Sequence, residues 1–288
     1  MKLFPKMLKT SRPLFWFSHF ISLFYGALQA QHSNIFGFPL LFSFLIFSLP
    51  YSIFIYAIND YYDLKSDSIN PRKATIFGER HDDKSIKYLK VWGFSGLTIS
   101  ILLSFLLSIN VVILMITLSI ILYFYSSPPI HLKSVPIADA IFGGALYSYI
   151  ISVIGYVVVA GLPNSLLTFI SAPFLLFSLL GLFGHLMGAV LDEKPDRKSN
   201  ITTSPIFFGS TSVITFCILL LFICLFISRH NPLFLIAISM TIVICFLGYS
   251  SKWRESPFLQ ALGGGILPVG FFYLSLLVYF LNPNWLKI

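Results

Sequence analysis

The chain has 288 residues and a net charge of +8, with 57% hydrophobic and only 10% charged residues. Soluble domains carry about 25% charged residues, so a globule this poor in charge could not cover its own surface. Composition and a mean hydropathy of +0.86 exclude a water-soluble globule, a disordered chain, a collagen-like fibre and a disulfide-rich module.

Six stretches lack Asp, Glu, Lys and Arg: residues 14–58, 91–132, 140–191, 199–228, 230–251 and 256–286. A membrane-spanning helix needs about 20 apolar residues. The three longest stretches therefore hold two spans each and the others one each. Turn residues divide the double stretches at Gln31-His32-Ser33-Asn34, at Asn110 and at Gly161-Leu162-Pro163-Asn164. The predicted elements, in chain order, are nine helices over roughly 14–33, 39–59, 91–108, 111–126, 137–160, 165–191, 201–228, 231–250 and 257–281. Barrel strands are excluded because these runs are long and apolar on all sides, whereas barrel strands are short and alternate. The fold class is thus an all-α membrane bundle, one domain over 1–288, in which helices satisfy the backbone without water.

An odd span count puts the termini on opposite sides. Of the 19 Lys and Arg residues, 17 fall on the N-terminal side and only Arg229 and Lys287 on the other. Positive charge stays inside, which predicts a cytoplasmic N-terminus. The basic excess is then a topology signal with some attraction to anionic lipid, and nucleic acid is not a partner. The first apolar run is too long for a signal peptide and lacks a clear small-residue cleavage site. Cys217, Cys224 and Cys245 fall inside spans without metal-type spacing and are read as packing residues.

All eleven acidic residues fall on the cytoplasmic side or its boundary. Two short motifs stand out. Asn59-Asp60-Tyr61-Tyr62-Asp63-Leu64-Lys65-Ser66-Asp67 ends span two, and Asp192-Glu193-Lys194-Pro195-Asp196 ends span six. On a helix at about 100° per residue, Asn59, Asp60, Asp63 and Asp67 project within one arc of about 100°. Asp192 and Asp196 are one turn apart. Carboxylates sharing a face repel unless a cation sits between them, and scarce water at the boundary sharpens that. Oxygen ligands without sulfur point to Mg²⁺ rather than zinc. Mg²⁺ held by one or two carboxylates commonly completes its shell with phosphate oxygens. Arg72, Lys73, Lys133, Lys194, Arg197 and Lys198 are the nearby cations for the remaining oxygens.

NDYYDLKSD resembles the first aspartate-rich motif of the UbiA-type intramembrane prenyltransferases, NDxxDxxxD. Asp192 to Asp196 resembles their second motif, DxxxD, and YSSPPIHLK, from Tyr125 to Lys133, their loop after span four. The resemblance covers nearly the whole chain and implies a nine-helix bundle around a cavity open to the cytoplasmic side. It also implies two Mg²⁺ ions, an allylic prenyl diphosphate donor and a hydrophobic acceptor. By match to the motifs, Asn59, Asp60, Asp63, Asp67, Asp192 and Asp196 would hold metal directly or through water. Arg72, Lys133 and Lys194 would contact diphosphate, and Tyr125 would sit near the reacting end of the donor. The family often has glycine between its second motif and a threonine; here Asn200 precedes Ile201, Thr202 and Thr203. Asn70-Pro71-Arg72-Lys73 resembles the subgroup that elongates lycopene. A quinone-ring precursor, a glycerol-phosphate lipid and a tetrapyrrole are the alternative acceptors.

His185 precedes Asp192 by seven residues, on the same side and about 10 Å deeper at ~1.5 Å per residue. It either accepts a proton from the acceptor or simply bonds a neighbouring helix. Tyr56 shares Asp60's face, and Asp139 opens span five. Gly263-Gly264-Gly265 is read as close helix packing. A transporter or binding protein for a phosphorylated lipid is the competing class. It would place its charges near the bilayer midplane, whereas these lie at one membrane face.

Overall fold

The computed structural model describes residues 3–30, 35–73, 75, 78–248, 271, 274, 275, 277 and 278. Among them the chain is helical: α1 (Leu3–Thr10), α2 (Pro13–Leu28), α3 (Phe38–Phe47), α4 (Leu49–Tyr62), α5 (Leu64–Ile69), α6 (Asp83–Ser104), α7 (Ile109–Ser126), α8 (Ala138–Ala160), α9 (Ala172–Leu191), α10 (Glu193–Lys198), α11 (Ser204–Phe208), α12 (Ser210–Ile227) and α13 (Pro232–Gly248). Six helices are long and apolar enough to cross a membrane: Phe38–Tyr62, α6, α7, α8, α9 and α12. Two shorter apolar helices, Pro13–Leu28 and Pro232–Val243, fall on the first and eighth predicted spans. The ninth span with Gly263-Gly264-Gly265, and the Gln31 to Asn34 turn, lie outside the described residues but for a few positions near 271–278.

Outward-facing side chains are apolar. Leu102, Ile113, Ile120, Leu219 and Phe222 are all exposed, as side chains that face lipid rather than water would be. Inside, Leu23, Phe24, Tyr25, Phe54 and Phe174 belong to one buried cluster. Glycines permit the tightest helix contact. A Cβ on Gly26 would come within 1.9 Å of the Ser152 carbonyl oxygen, and one on Gly155 within 2.1 Å of the Leu23 carbonyl oxygen. These two positions let α2 lie backbone to backbone on α8, as small residues do between membrane helices.

Several boundaries differ from the sequence reading. Helix α6 starts at Asp83, not near 91, because Asp82 caps it: its carboxylate accepts from the Ser85 amide (2.9 Å), and the Ser85 hydroxyl accepts from the Asp82 amide (3.0 Å). Lys84, Lys87 and Lys90 therefore ride on its first turns. Span two contains a break at Ser48, two residues before Pro50, which cannot donate a helical hydrogen bond. Span six begins at Ala172 behind a short 3₁₀ turn over Leu166–Ile170. Span seven is divided at Gly209, whose φ of 85° separates α11 from α12. Helix α8 carries a π-turn at Ile141–Ala145, a feature often found where a helix lines a functional site.

Candidate active site

Both acidic motifs are built the same way. Helix α4 ends and α5 begins at Asp63 (φ −95°, ψ 10°), and α9 ends and α10 begins at Asp192 (φ −95°, ψ 3°). The i to i−4 ladder survives each bend. Asp63 N donates to Asn59 O (2.9 Å) and Asp67 N to Asp63 O (2.8 Å). Asp192 N donates to Gly188 O (3.1 Å) and Asp196 N to Asp192 O (3.0 Å). The motifs are thus kinked helices rather than straight ones. Each kink offers one carboxylate at the bend and another a turn later.

Cross-links join the two halves. Ser66 on α5 donates to Asp196 (2.7 Å), and the Asn70 amide donates to Asp192 (2.7 Å). Arg72 Nη1 lies 3.0 Å from the same Asp192 oxygen. Lys133 reaches over from the loop after α7, 2.5 Å from Asp63 and 3.8 Å from Asp196. One ammonium therefore sits between a carboxylate of each motif. Asn59 also donates to Asp63 (2.8 Å).

Asp60 stands apart from this group. Its Oδ1 lies 2.6 Å from both Arg12 and Lys73, and its Oδ2 lies 3.1 Å from His81 Nε2. It is fully buried and, like Asp63 and Asp67, does not line the cavity. Within the arc drawn through Asn59, Asp60, Asp63 and Asp67, Asp60 is distinguished by its contacts with Arg12 and His81. Lys73 also meets Asp67 at 2.7 Å. Lys194 does not line the cavity, whereas Arg72 and Lys133 do.

The cavity holds about 840 Å³, within the range of ~300–1,000 Å³ typical of small-molecule sites. Its polar end carries Asn59, Arg72, Lys133, Asp192 and Asp196; its apolar end is lined by Leu221, Leu233, Phe234 and Phe271. Tyr125 and His185 lie on its wall, with the Tyr125 hydroxyl 3.3 Å from His185 Nε2 and the rings edge to face. Gly143, in the π-turn, makes room for them: a Cβ there would be 2.6 Å from His185 Cε1 and 2.7 Å from Tyr125 Cε2.

Burial, together with the charges of Asp60 and Asp63, pushes the Asp67 carboxyl up to about 7. Burial likewise pushes Asp196 up to about 6. Burial also works against ionised Asp192, but Arg72 and the Asn70 hydrogen bond bring its pKa below the ordinary range. Burial opposes the charge on Lys133, yet Asp63 and Asp196 hold its pKa above the usual lysine value. Lys73 beside Asp67 and Lys133 beside Asp196 offset only part of the cost of burial.

No three acidic, histidine or cysteine side chains among the described residues converge tightly enough to cage an ion alone. The donor set nonetheless fits Mg²⁺: it offers only oxygen, with Asn59, Asp192 and Asp196 lining the cavity and Asp67 held beside Lys73. Mg²⁺ commonly takes one or two carboxylates and leaves other positions to phosphate or water.

The UbiA prenyltransferase family matches residues 19–262. The chain belongs to that family. It is a membrane-embedded prenyltransferase with multiple apolar helices. Lycopene elongase/hydratase of Haloarcula japonica is 27% identical over 224 residues, covering 74% of this chain and 70% of that one. The enzyme of the same name from Corynebacterium glutamicum is 26% identical over 238 residues, covering 81% and 80%. Among solved structures, a UbiA homologue from Archaeoglobus fulgidus bound to DMAPP and Mg²⁺ superposes with a TM-score of 0.69. It has 19% identity, with 93% of this chain and 96% of that one covered. The same homologue bound to GPP and Mg²⁺ gives a TM-score of 0.65. These superpositions establish the shared UbiA fold.

Four residues of this prenyltransferase's site escaped the sequence reading as site residues: Arg12, Ser66, Asn70 and Gly143. In sequence Arg12 reads only as a topology charge; in the fold it precedes Pro13 with φ of 51° and meets Tyr56 and Asp60. Asn70 was visible within the Asn70 to Lys73 segment. Ser66 had no signal beyond sitting inside the first motif. The departure at Asn200 has a physical reason: its φ is 60°, a left-handed conformation in which glycine is common and asparagine tolerated. Asp139 is wholly buried, accepting from the Ser204 amide (2.8 Å) and the Ser204 hydroxyl (2.5 Å). It ties α8 to the start of α11.

Proposed function

We propose that this chain moves a prenyl group from an allylic diphosphate to a hydrophobic acceptor in a Mg²⁺-dependent reaction, and that the acceptor is a linear carotenoid such as lycopene. The observation that carries the chemistry is the meeting of the two kinked motifs, through Ser66–Asp196 and Asn70–Asp192, at the polar end of an apolar cavity. Asn59, Asp63, Asp67, Asp192 and Asp196 would hold Mg²⁺, directly or through water. Asp60 is assigned instead to holding Arg12 and Lys73. When bound, Mg²⁺ neutralises the diphosphate and makes it a better leaving group. Arg72 and Lys133, which line the cavity, bind the remaining diphosphate oxygens. Positive charge fixed there is worth most as the leaving group gains charge.

Tyr125 sits one step inward from Lys133, beside the breaking carbon–oxygen bond, where its ring face supports an allylic cation. His185 fixes the Tyr125 hydroxyl. Apolar walls keep water from the cation until the acceptor attacks. The whole chain is taken as one prenyltransferase unit with its N-terminus and site on the cytoplasmic side, in line with the 17 of 19 basic residues counted there.

The carotenoid acceptor is supported by the names of the relatives from Haloarcula japonica and Corynebacterium glutamicum and by Asn70-Pro71-Arg72-Lys73, two of whose side chains hold Asp192. A lycopene-producing host expressing the chain and fed labelled donor tests it. Label in an elongated, coloured carotenoid is expected; label in a prenylated ring, a glycerol-phosphate lipid or a tetrapyrrole overturns the acceptor.

A further inference from the structure

A second tyrosine–histidine pair lines the cavity deeper inside. Tyr147 forms part of the wall. It follows Gly143 by one helical turn along α8, roughly 6 Å farther from the carboxylates. Its hydroxyl bonds to His19 Nε2, and the two rings meet edge to face with centroids 5.7 Å apart. His19 is 1% exposed, on the α2 face that α8 covers.

The partners of His19 fix its hydrogen. Nδ1 lies 3.1 Å from the Phe47 carbonyl oxygen, which can only accept, so Nδ1 carries the proton in the neutral ring. Nε2 is then the bare acceptor and the Tyr147 hydroxyl donates to it. Ser52 reinforces the arrangement by donating its own hydrogen to the same carbonyl (2.9 Å). A tyrosine oxygen at the cavity wall is thus backed by a buried imidazole whose free lone pair points back at it.

We propose that Tyr147 takes the proton that ends the coupling reaction, passing its own hydrogen to His19 Nε2. The inference rests on the prenyl-transfer reading above. When an allylic cation adds to a carbon–carbon double bond, the new bond leaves a cation on the acceptor. A neighbouring C–H bond then breaks, and its electron pair closes a new double bond. The proton joins the Tyr147 oxygen as the phenolic proton moves to His19. Once product leaves, the pair is reset by losing that proton: His19 Nε2 returns its hydrogen to the Tyr147 oxygen as Tyr147 gives one up to water. Tyr147 is the catalytic residue of this step and His19 positions and recharges it. Without such an acceptor, the cation is consumed by water instead, leaving an alcohol.

Purified protein in detergent with Mg²⁺, labelled dimethylallyl diphosphate and lycopene separates the outcomes. In Tyr147→Phe, pyrophosphate release is expected to persist while the ratio of alkene-ended to alcohol-ended coupled product falls roughly a hundredfold or more, the usual scale of a lost proton acceptor. His19→Gln, which keeps a polar group against Tyr147, is expected to shift the ratio in the same direction. Unchanged product ratios in both variants, or equal loss of pyrophosphate release and coupled product, would overturn the assignment. Absence of Mg²⁺-dependent pyrophosphate release in the wild-type protein would overturn the prenyl-transfer reading itself.

Discussion

Gly143→Ala places one methyl against the Tyr125–His185 pair. The new Cβ would stand 2.6 Å from His185 Cε1 and 2.7 Å from Tyr125 Cε2, whereas carbons pack at about 3.5–4.0 Å. Both rings must withdraw by about 1 Å, enough to break the 3.3 Å hydrogen bond between them. Stability should change little. Alanine gains about 1 kcal/mol over glycine in a helix, against about 1–3 kcal/mol for overpacking. Catalysis should change a great deal, since a 1 Å misplacement of reacting groups can cost about 100-fold. The assay pairs thermal unfolding in detergent with kcat/KM for donor consumption. Gly184→Ala and Gly188→Ala serve as controls, because both residues line the cavity and a Cβ at either meets nothing within 4 Å. A Gly143→Ala enzyme within twofold of the controls would refute a reacting centre beside Tyr125 and His185.

Three further outcomes follow from the packing and the charges. Gly26→Leu or Gly155→Leu drives a side chain into a backbone carbonyl that cannot yield, so α2 must part from α8; a loss of about 3 kcal/mol or more is expected as a lowered unfolding midpoint. Asp60→Asn leaves Arg12 without its buried counter-charge and Lys73 with Asp67 alone, and should lower stability by about 3–5 kcal/mol, read in the same measurement. The pH response has a definite sign. Asp67 rises from an ordinary 3.8 to about 7 and Asp196 to about 6. The folded state therefore keeps protons that the unfolded chain has lost. Metal-free stability contributed by these two groups falls as pH rises from about 4 to about 7. Mg²⁺ replaces those protons, so its stabilising shift in unfolding midpoint should grow between about pH 6 and 8. Asp67→Asn should flatten that growth; an unchanged Mg²⁺ response in this variant would contradict the charge argument.

Much of the fold was legible because bilayer thickness imposes its own length on apolar runs, and α7 and α8 begin and end within two residues of their predicted limits. Boundaries failed where polar caps and glycine, rather than hydropathy, end a helix, as at Asp82 and Gly209. The site was legible in its parts but not in its wiring. Asp63, Asp67, Asp192 and Asp196 announce themselves by spacing. The kinks at Asp63 and Asp192 do not, because a kinked and a straight helix share the same 3.6-residue pattern. Asp60 could not be sorted from its neighbours by periodicity, since what distinguishes it is contact with Arg12, made across 48 residues, and with His81. Tyr147 and His19 look like ordinary core aromatics in sequence; only the bundle brings them together.

The central claim is that carboxylates from two kinked helix ends grip a diphosphate through divalent cations. Its most direct test measures pyrophosphate release from labelled dimethylallyl diphosphate by the purified protein, with and without EDTA, for wild type, Asp63→Ala and Asp192→Ala. Release is predicted to vanish in EDTA, to return with Mg²⁺, and to be lost in both folded variants. Wild-type-level release under EDTA, or by both variants with Mg²⁺ present, would contradict the account.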